Sequence, residues 1–455
     1  MNKLAKRAIA ALVLAGILAT GMLVILIKYF VNGSDWVTFQ SSPHVYSNGA
    51  LNSGVITDRS GTTLLDATNG RSYAESGTLR KATLHLLGDR EGNITPFLLD
   101  TYGDYLVGYD AFNGTYHTGA ASGEMTLTIS AAAQKAAYEA LAGRKGTVGV
   151  YNYKTGEILC MVSTPSYDPD DVPDIAGDPV TYDGAYVNRF LHSTYPPGSV
   201  YKLVTAAAAL EHLDDLETRT FYCEGSCVID GETVVCNNVH GTVTFEQALA
   251  KSCNVAFAEI SLELEAELLT QYAERTGVLS RSSFDGTRTA MGSFDVSEAT
   301  RYETAWAGIG QYTDQINPCQ FMVYMGAIAN GGAAAEPYVV QSVAYGDSVK
   351  YKAKTHMTDR MIDVDTAASL ADIMHYAVQN VYGEWYFSGL YAGAKSGTAE
   401  VGNGLAPNAV FAGFTQDDDY PLAFVVIVEN GGSGSSTCTP IIKQVLDALI
   451  SDMNQ

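Results

Sequence analysis

The sequence predicts an α+β fold for residues 123–455, preceded by one membrane-spanning helix and a small mixed α/β segment. Three observations predict it. Strand-like runs open residues 123–455 and close them. An alanine-rich stretch with helical periodicity lies between those runs, so the last strands must return to complete the sheet that the first ones start. The amino terminus is a long apolar run that belongs to no globular core.

That run starts after Lys3, Lys6 and Arg7 and stays uncharged from Ala8 to Ile27. About twenty such residues cross a bilayer as one helix. The basic residues precede it and only Lys28 immediately follows, which predicts a cytoplasmic residue 1–7 tail, an anchor at 8–29 and everything later on the far side. A cleaved signal peptide would carry a shorter apolar region and a small-x-small site, and Lys28-Tyr29-Phe30-Val31 is not one. No later segment is long and apolar enough to span again.

Residues 30–122 are rich in Tyr, Gly, Asp and Thr and read as a separate mixed segment. Within it, Gly54 to Leu65 reads as strand, turn, strand, broken at Ser60-Gly61. Tyr116 to Gly123 is a run of small residues that marks a linker. Met125–Ile129 is then a strand, and Ser130 caps a helix over 131–142. Two strands, 146–153 and 157–162, form a hairpin through Lys154-Thr155-Gly156. The region 199–380 is expected to be mostly helical. Strands return at 391–401, 408–414 and 422–428, and an amphipathic helix runs from Pro440 to Met453. There are no internal repeats.

The net charge of −23 excludes a polyanionic partner such as DNA or RNA. Seven cysteines, at 160, 223, 227, 236, 253, 319 and 438, leave at least one thiol unpaired in an exported chain. Cys223, Cys227 and Cys236 cluster, which allows a local disulfide. Zinc is the weaker reading there, because only His240 is near and no second Cys-x-x-Cys follows. Cys160 and Cys253 sit in apolar surroundings and read as small core residues.

The chemistry concentrates in Ser199-Val200-Tyr201-Lys202, which follows Tyr195-Pro196-Pro197-Gly198 and opens an apolar helix. Residues three apart share one helix face, so the lysine amine can reach the serine hydroxyl. The Pro-Pro-Gly stops the helix from extending backward. The serine therefore falls at the helix start, where free N–H groups and the helix dipole favour developing negative charge. That describes an activated nucleophile. Alone, the tetrapeptide reads more readily as an N-cap with a surface lysine. Two later clusters change the balance: Lys251-Ser252-Cys253-Asn254 and Lys395-Ser396-Gly397-Thr398-Ala399-Glu400. Acyl transfer at serine needs a base, a proton relay, an oxyanion hole and an anchor for a substrate carboxylate. Lys202 suits the base, kept neutral by desolvation and by the charge of Lys395. Ser252 can relay a proton, and the Asn254 amide can bond both a lysine and a substrate carbonyl. Gly397 in a strand lets substrate backbone approach closely. Lys154-Thr155-Gly156 repeats the third pattern but precedes the nucleophile, where Thr-Gly is ordinary turn chemistry.

Ser-x-x-Lys, Ser-x-Asn and Lys-Ser/Thr-Gly in this order resemble the set of penicillin-binding proteins and class A β-lactamases. Residues 123–455 resemble the transpeptidase domain of class B penicillin-binding proteins in further stretches. These include Thr155-Gly156-Glu157-Ile158-Leu159, Pro165-Ser166-Tyr167-Asp168-Pro169, Asn188-Arg189, His240-Gly241, Gly308-Ile309-Gly310-Gln311, Ala329-Asn330-Gly331-Gly332 and Phe411-Ala412-Gly413-Phe414. Residues 54–65 and Arg71-Ser72-Tyr73 more weakly resemble that class's pedestal, in a short form like that of smaller cell-division and sporulation members. Ser130 stands where an aspartate is usual, and Ser396 replaces the commoner threonine.

The resemblance implies an antiparallel sheet with helices on both sides and an all-helical lobe. It implies a serine D,D-transpeptidase that cross-links peptidoglycan stem peptides through an acyl-enzyme on Ser199 and is covalently inhibited by β-lactams. The implied catalytic set is Ser199, Lys202, Ser252, Asn254 and Lys395. The backbone N–H groups of Ser199 and Thr398 would form the oxyanion hole, and Lys395, Ser396 and Thr398 would hold the substrate carboxylate. No metal or cofactor is implied, and the implied partner is a membrane glycan polymerase. A D,D-carboxypeptidase or β-lactamase of the same fold uses the same residues with water as acceptor. A β-lactam sensor would carry several spans, and a non-catalytic scaffold would have lost at least one of the five residues.

Overall fold

The computed structural model describes residues 3–37, 46–47, 50–51, 54–68, 70–94, 97–107, 109–110, 115–116, 122–216, 218–402 and 404–454. The centre is a five-stranded sheet built from β1 (Gly146–Asn152), β2 (Ile158–Thr164), β3 (Ala392–Ala399), β4 (Asn408–Thr415) and β5 (Leu422–Val428), in the order β2-β1-β5-β4-β3. Every neighbouring pair is antiparallel. The carboxyl-terminal strands thus complete the sheet that β1 and β2 begin. β5 explains why these strands read as unbroken apolar runs. Leu422, Phe424, Val426 and Val428 enter one core with helices Ala131–Leu141 and Gly434–Met453. Ala423, Val425 and Ile427 enter the other, with helices Pro318–Ala329 and Val364–Ala377. A sheet covered on both faces has no polar side to alternate with.

Ser130 accepts a hydrogen bond from Ala133 N as the N-cap of its helix. A carboxylate also reaches this helix start, but from Asp58, which accepts from Ala131 N at 3.0 Å. In the β1–β2 hairpin, Asn152 Oδ1 accepts from Lys154 N and Thr155 N, and Gly156 takes φ +92°, so Lys154-Thr155-Gly156 is a turn.

The region 199–380 contains helices Lys202–His212, Phe245–Ala250, Asn254–Arg275, Arg301–Ile309, Pro318–Ala329 and Val364–Ala377, but it is less helical than its composition suggests. Thr220–Cys223 pairs with Gly241–Thr244, and Ser226–Ile229 with Glu232–Val235. The Thr220–Cys223 strand alternates exposed and buried residues, a period-2 signal outweighed by the surrounding alanines. The last helix begins at Gly434, ahead of the expected Pro440, which sits inside it.

A second sheet of six strands joins residues 55–73 to residues 123–127 and 340–352. Its order is Ser348–Lys352, Val340–Tyr345, Gly123–Leu127, Val55–Thr57, Thr63–Asp66 and Ser72–Tyr73. Gly123–Leu127 lies parallel to Val55–Thr57 and antiparallel to Val340–Tyr345. The strands in 340–352, a stretch expected to be helical, thus extend the sheet that holds Val55–Thr57. The small-residue run 117–121 lies outside the described residues. Asp285 fastens the same junction. Its half-buried carboxylate accepts from Val339 N at 2.6 Å, Val340 N at 3.1 Å and Tyr102 Oη at 2.8 Å, the last from the helix Phe97–Val107. The amino-terminal helix runs from Lys3 to Val37, beyond the expected 8–29, and Lys3–Gly33 is long and apolar enough to cross a membrane.

Asp285→Ala leaves two backbone N–H groups and one phenol without their acceptor. It is expected to lower the stability of the chain by about 1–3 kcal/mol, read as a lower midpoint in thermal unfolding. An unchanged midpoint would show that the junction does not depend on this carboxylate.

Candidate active site

Three chain segments meet at the open edge of the central sheet. The first is a 3₁₀ turn, Gly198–Val200, that runs into the helix Lys202–His212. Its approach is fixed by Tyr195, whose backbone pairs with Ile316 and whose hydroxyl donates to Glu429 at 3.1 Å. The second is the short link between helices Phe245–Ala250 and Asn254–Arg275, which holds Ser252 and Cys253. The third is β3, the edge strand.

Close backbone contact between the first and third segments requires glycine. Gly198 has φ +56°, and a Cβ there would lie 2.7 Å from the Thr398 carbonyl oxygen. A Cβ on Gly397 would lie 2.5 Å from the Pro197 carbonyl oxygen. The space beside Gly397 is therefore filled by the chain's own nucleophile loop, where the sequence suggested substrate backbone.

Lys202 Nζ lies 2.9 Å from Ser199 Oγ, 2.7 Å from Asn254 Oδ1 and 3.0 Å from the Ser252 carbonyl oxygen. Lys395 Nζ donates to Ser252 Oγ at 2.6 Å and to the Ser396 carbonyl at 2.8 Å. Ser252 thus joins the two lysines, its carbonyl on one and its hydroxyl on the other. It does so at φ +60°, a left-handed conformation uncommon for serine and typical of strained functional positions. Asn254 is held in turn, donating from Nδ2 to the Val235 carbonyl at 2.8 Å.

Both lysines are fully buried, with relative exposures of 0% and 1%. Burial pushes the Lys202 amine well below the ordinary lysine range, and the neighbouring Lys395 pushes it further the same way. Burial alone brings Lys395 down to about 7. A neutral amine at Lys202 can accept the Ser199 proton, and Lys395, when protonated, places a cation behind the cleft wall.

The structure brings Ser199, Lys202, Ser252, Asn254, Lys395, Ser396 and Thr398 into one site, with Gly397 packed behind it. Ser199, Ser252, Asn254, Ser396 and Thr398 line a cleft of about 270 Å³. Trp306 and Asn237 also line it and were not read from the sequence. Tyr382 was missed as well. Its hydroxyl accepts from Ser396 N at 3.0 Å and lies 3.1 Å from Ser396 Oγ. It ends an irregular helical turn, Val378–Tyr382, and no local sequence pattern marks it. Trp306 could have been suspected from its place just before Gly308-Ile309-Gly310-Gln311.

Comparison with known proteins agrees with this geometry. The family model for the penicillin-binding protein transpeptidase domain matches residues 146–447. Peptidoglycan D,D-transpeptidase PbpA of Mycolicibacterium smegmatis is 30% identical over 366 residues, covering 72% of this chain and 73% of that protein. Stage V sporulation protein D of Bacillus subtilis is 30% identical over 317 residues, 65% of this chain and 47% of that protein. Among solved structures, penicillin-binding protein A of Mycobacterium tuberculosis superposes with a TM-score of 0.75 at 26% identity, covering 88% of this chain and 99% of that one. The same protein as its penicillin G acyl-enzyme complex gives 0.72 at 26% identity, covering 89% and 100%. With the family model spanning all five strands of the central sheet and all three segments of the site, the chain belongs to the penicillin-binding protein transpeptidase family.

Proposed function

We propose that this chain is a serine D,D-transpeptidase that cross-links peptidoglycan stem peptides and is acylated by β-lactams. One observation carries the reading: a buried lysine amine, held off its charged form, lies 2.9 Å from the hydroxyl of Ser199. Relatives named as peptidoglycan D,D-transpeptidases and neighbours solved as β-lactam acyl-enzymes support it.

In this reading Lys202 takes the Ser199 proton as Oγ attacks the penultimate D-alanine carbonyl. The negative oxygen of the tetrahedral intermediate is held by the N–H groups of Ser199 and Thr398, each such donor lowering the barrier by about 3 kcal/mol. The Ser252 hydroxyl, which meets Lys395 at 2.6 Å, would turn toward Lys202 to relay the proton to the leaving nitrogen, and terminal D-alanine departs. A neighbouring stem's amine attacks the ester and returns the proton by the same route, freeing Ser199. Lys395, Ser396 and Thr398 hold the donor's terminal carboxylate, with Tyr382 orienting Ser396. Asn254 holds the Lys202 amine.

Residues 8–29 would anchor the chain with its amino terminus in the cytoplasm, a reading that the basic Lys3, Lys6 and Arg7 support. Residues 30–122 would be the non-catalytic pedestal and 123–455 the catalytic domain on the far side. A membrane glycan polymerase, whose product is the substrate, is the partner that suits an anchor followed by such a module.

Full-length chain in detergent is expected to be labelled stably by a fluorescent penicillin, with Ser199→Ala removing the label and Lys202→Ala slowing acylation by ~10²–10⁴-fold. Absence of label on the native chain would refute the catalytic reading, and rapid loss of label with hydrolysed drug would make it a β-lactamase. The pH dependence follows from the two amines. Acylation should rise with pH on the acid side, as Lys202 loses its proton well below the usual lysine range. It should fall above about pH 7, where Lys395 loses the charge that anchors the carboxylate. A single rise centred near the ordinary lysine value of about 10.4 would contradict both assignments.

A further inference from the structure

Behind the catalytic link lies a second cluster that this chemistry does not use. Cys223 ends the strand Thr220–Cys223, and Cys236 follows the strand Glu232–Val235. His240 precedes the strand Gly241–Thr244, and Cys253 stands at the N-cap of Asn254–Arg275 without a side-chain capping bond. Their four donor atoms all lie within 4.8 Å of one another. Cys236 Sγ is 4.0 Å from Cys253 Sγ and 3.5 Å from His240 Nδ1. Tetrahedral zinc, with bonds of about 2.3 Å to sulfur and about 2.0–2.1 Å to nitrogen, sets its donors roughly 3.5–3.8 Å apart. All three cysteines are buried.

We propose that Cys223, Cys236, His240 and Cys253 form a closed, structural zinc site that fixes the Ser252–Asn254 link against the strands beneath it. Three soft thiols and one imidazole are a zinc donor set, and four protein ligands leave no open position for chemistry. Binding would release three thiol protons to solvent, and the bound imidazole is neutral. A disulfide fits the arrangement less well. It would need two sulfurs at about 2.0 Å, and it would leave the third thiol and the imidazole idle. All seven cysteines are free thiols in the structure, so the local disulfide allowed by the sequence is not formed.

The sequence made zinc the weaker reading because Cys223, Cys227 and Cys236 have only His240 near them and no second Cys-x-x-Cys follows, and it set Cys253 apart as a core residue. The fold leaves Cys227 out and brings in Cys253, which is buried but has the other donors as neighbours. The site also touches the catalytic residues. Asn254 N donates to Cys236 Sγ at 3.2 Å, and Val235, next to Cys236, holds the Asn254 side chain. Zinc here would stiffen the residue that holds Lys202 without contacting substrate.

The test is the metal content of full-length chain purified in detergent under reducing conditions, loaded with zinc chloride and desalted. The expected result is about one zinc per chain by mass spectrometry of the metal. Cobalt(II) loaded instead should give the visible bands of a tetrahedral thiolate site. Cys223→Ser and His240→Ala should each lose most of the metal, while Cys160→Ser and Cys319→Ser, outside the cluster, should keep it. Wild-type chain that retains no zinc, or a disulfide between any two of the three cysteines in chain isolated without reductant, would overturn the proposal whatever the variants do. Because this readout is metal content, failure here leaves the acylation reading standing, and loss of acylation would not by itself remove the zinc.

Discussion

Two lysine amines buried side by side set the terms for the rest of this molecule. Neither Lys202 nor Lys395 faces water, and bringing the Lys395 amine to about 7 corresponds to roughly 5 kcal/mol against its charged form. Such a pair would be expelled from an ordinary core. It is kept because each amine has oxygen partners supplied by a different part of the chain: Ser199, Asn254 and the Ser252 carbonyl for one, Ser252 Oγ and the Ser396 carbonyl for the other. The penalty on charge is what would let Lys202 act as a base, as proposed. The same burial thus strains the fold and makes the site reactive.

That arrangement explains several features that otherwise look unrelated. Ser252 must turn its carbonyl to one lysine and its hydroxyl to the other, and it adopts a left-handed backbone to do so. The nucleophile turn must approach the edge strand so closely that Gly198 and Gly397 leave no room for a side chain. The edge strand must be the late-arriving β3, because a central strand would have no free side to offer the cleft. The helical lobe holds Lys202 and Asn254 at the starts of two adjacent helices, and the sheet holds Lys395. The site exists only when lobe and sheet are docked.

The parts legible in the sequence were those whose chemistry is local. Ser199 and Lys202 share one helix face, Ser130 caps its own helix, and Asn152 closes its own turn, so spacing alone exposes them. The central strands could be read from their apolar runs, although those runs do not say which face is which. The class B resemblance then linked the three distant clusters. What stayed hidden depends on packing between distant segments. Tyr382 reaches Ser396 because of an irregular turn, and Trp306 lines the cleft because of how its helix docks. Cys253 joins Cys223, Cys236 and His240 only when a helix start closes over two small strand pairs, one nested within the other along the chain. Val340–Tyr345 docks on Gly123–Leu127, some two hundred residues earlier, and pairing of that kind leaves little local trace, but its hairpin with Ser348–Lys352 around Gly346-Asp347 was a local signal that the alanine-rich surroundings outweighed.

The central claim is that Lys202 is neutral in the resting enzyme because of where it is buried. The most direct measurement is the ionisation of that one side chain, by NMR of full-length chain carrying ¹³Cε-lysine, with the Lys202 signal assigned from Lys202→Arg. The account predicts a midpoint well below the ordinary lysine value of about 10.4, moving upward when Lys395 is replaced by methionine. A Lys202 signal that titrates like an exposed lysine, and does not respond to loss of Lys395, would contradict it.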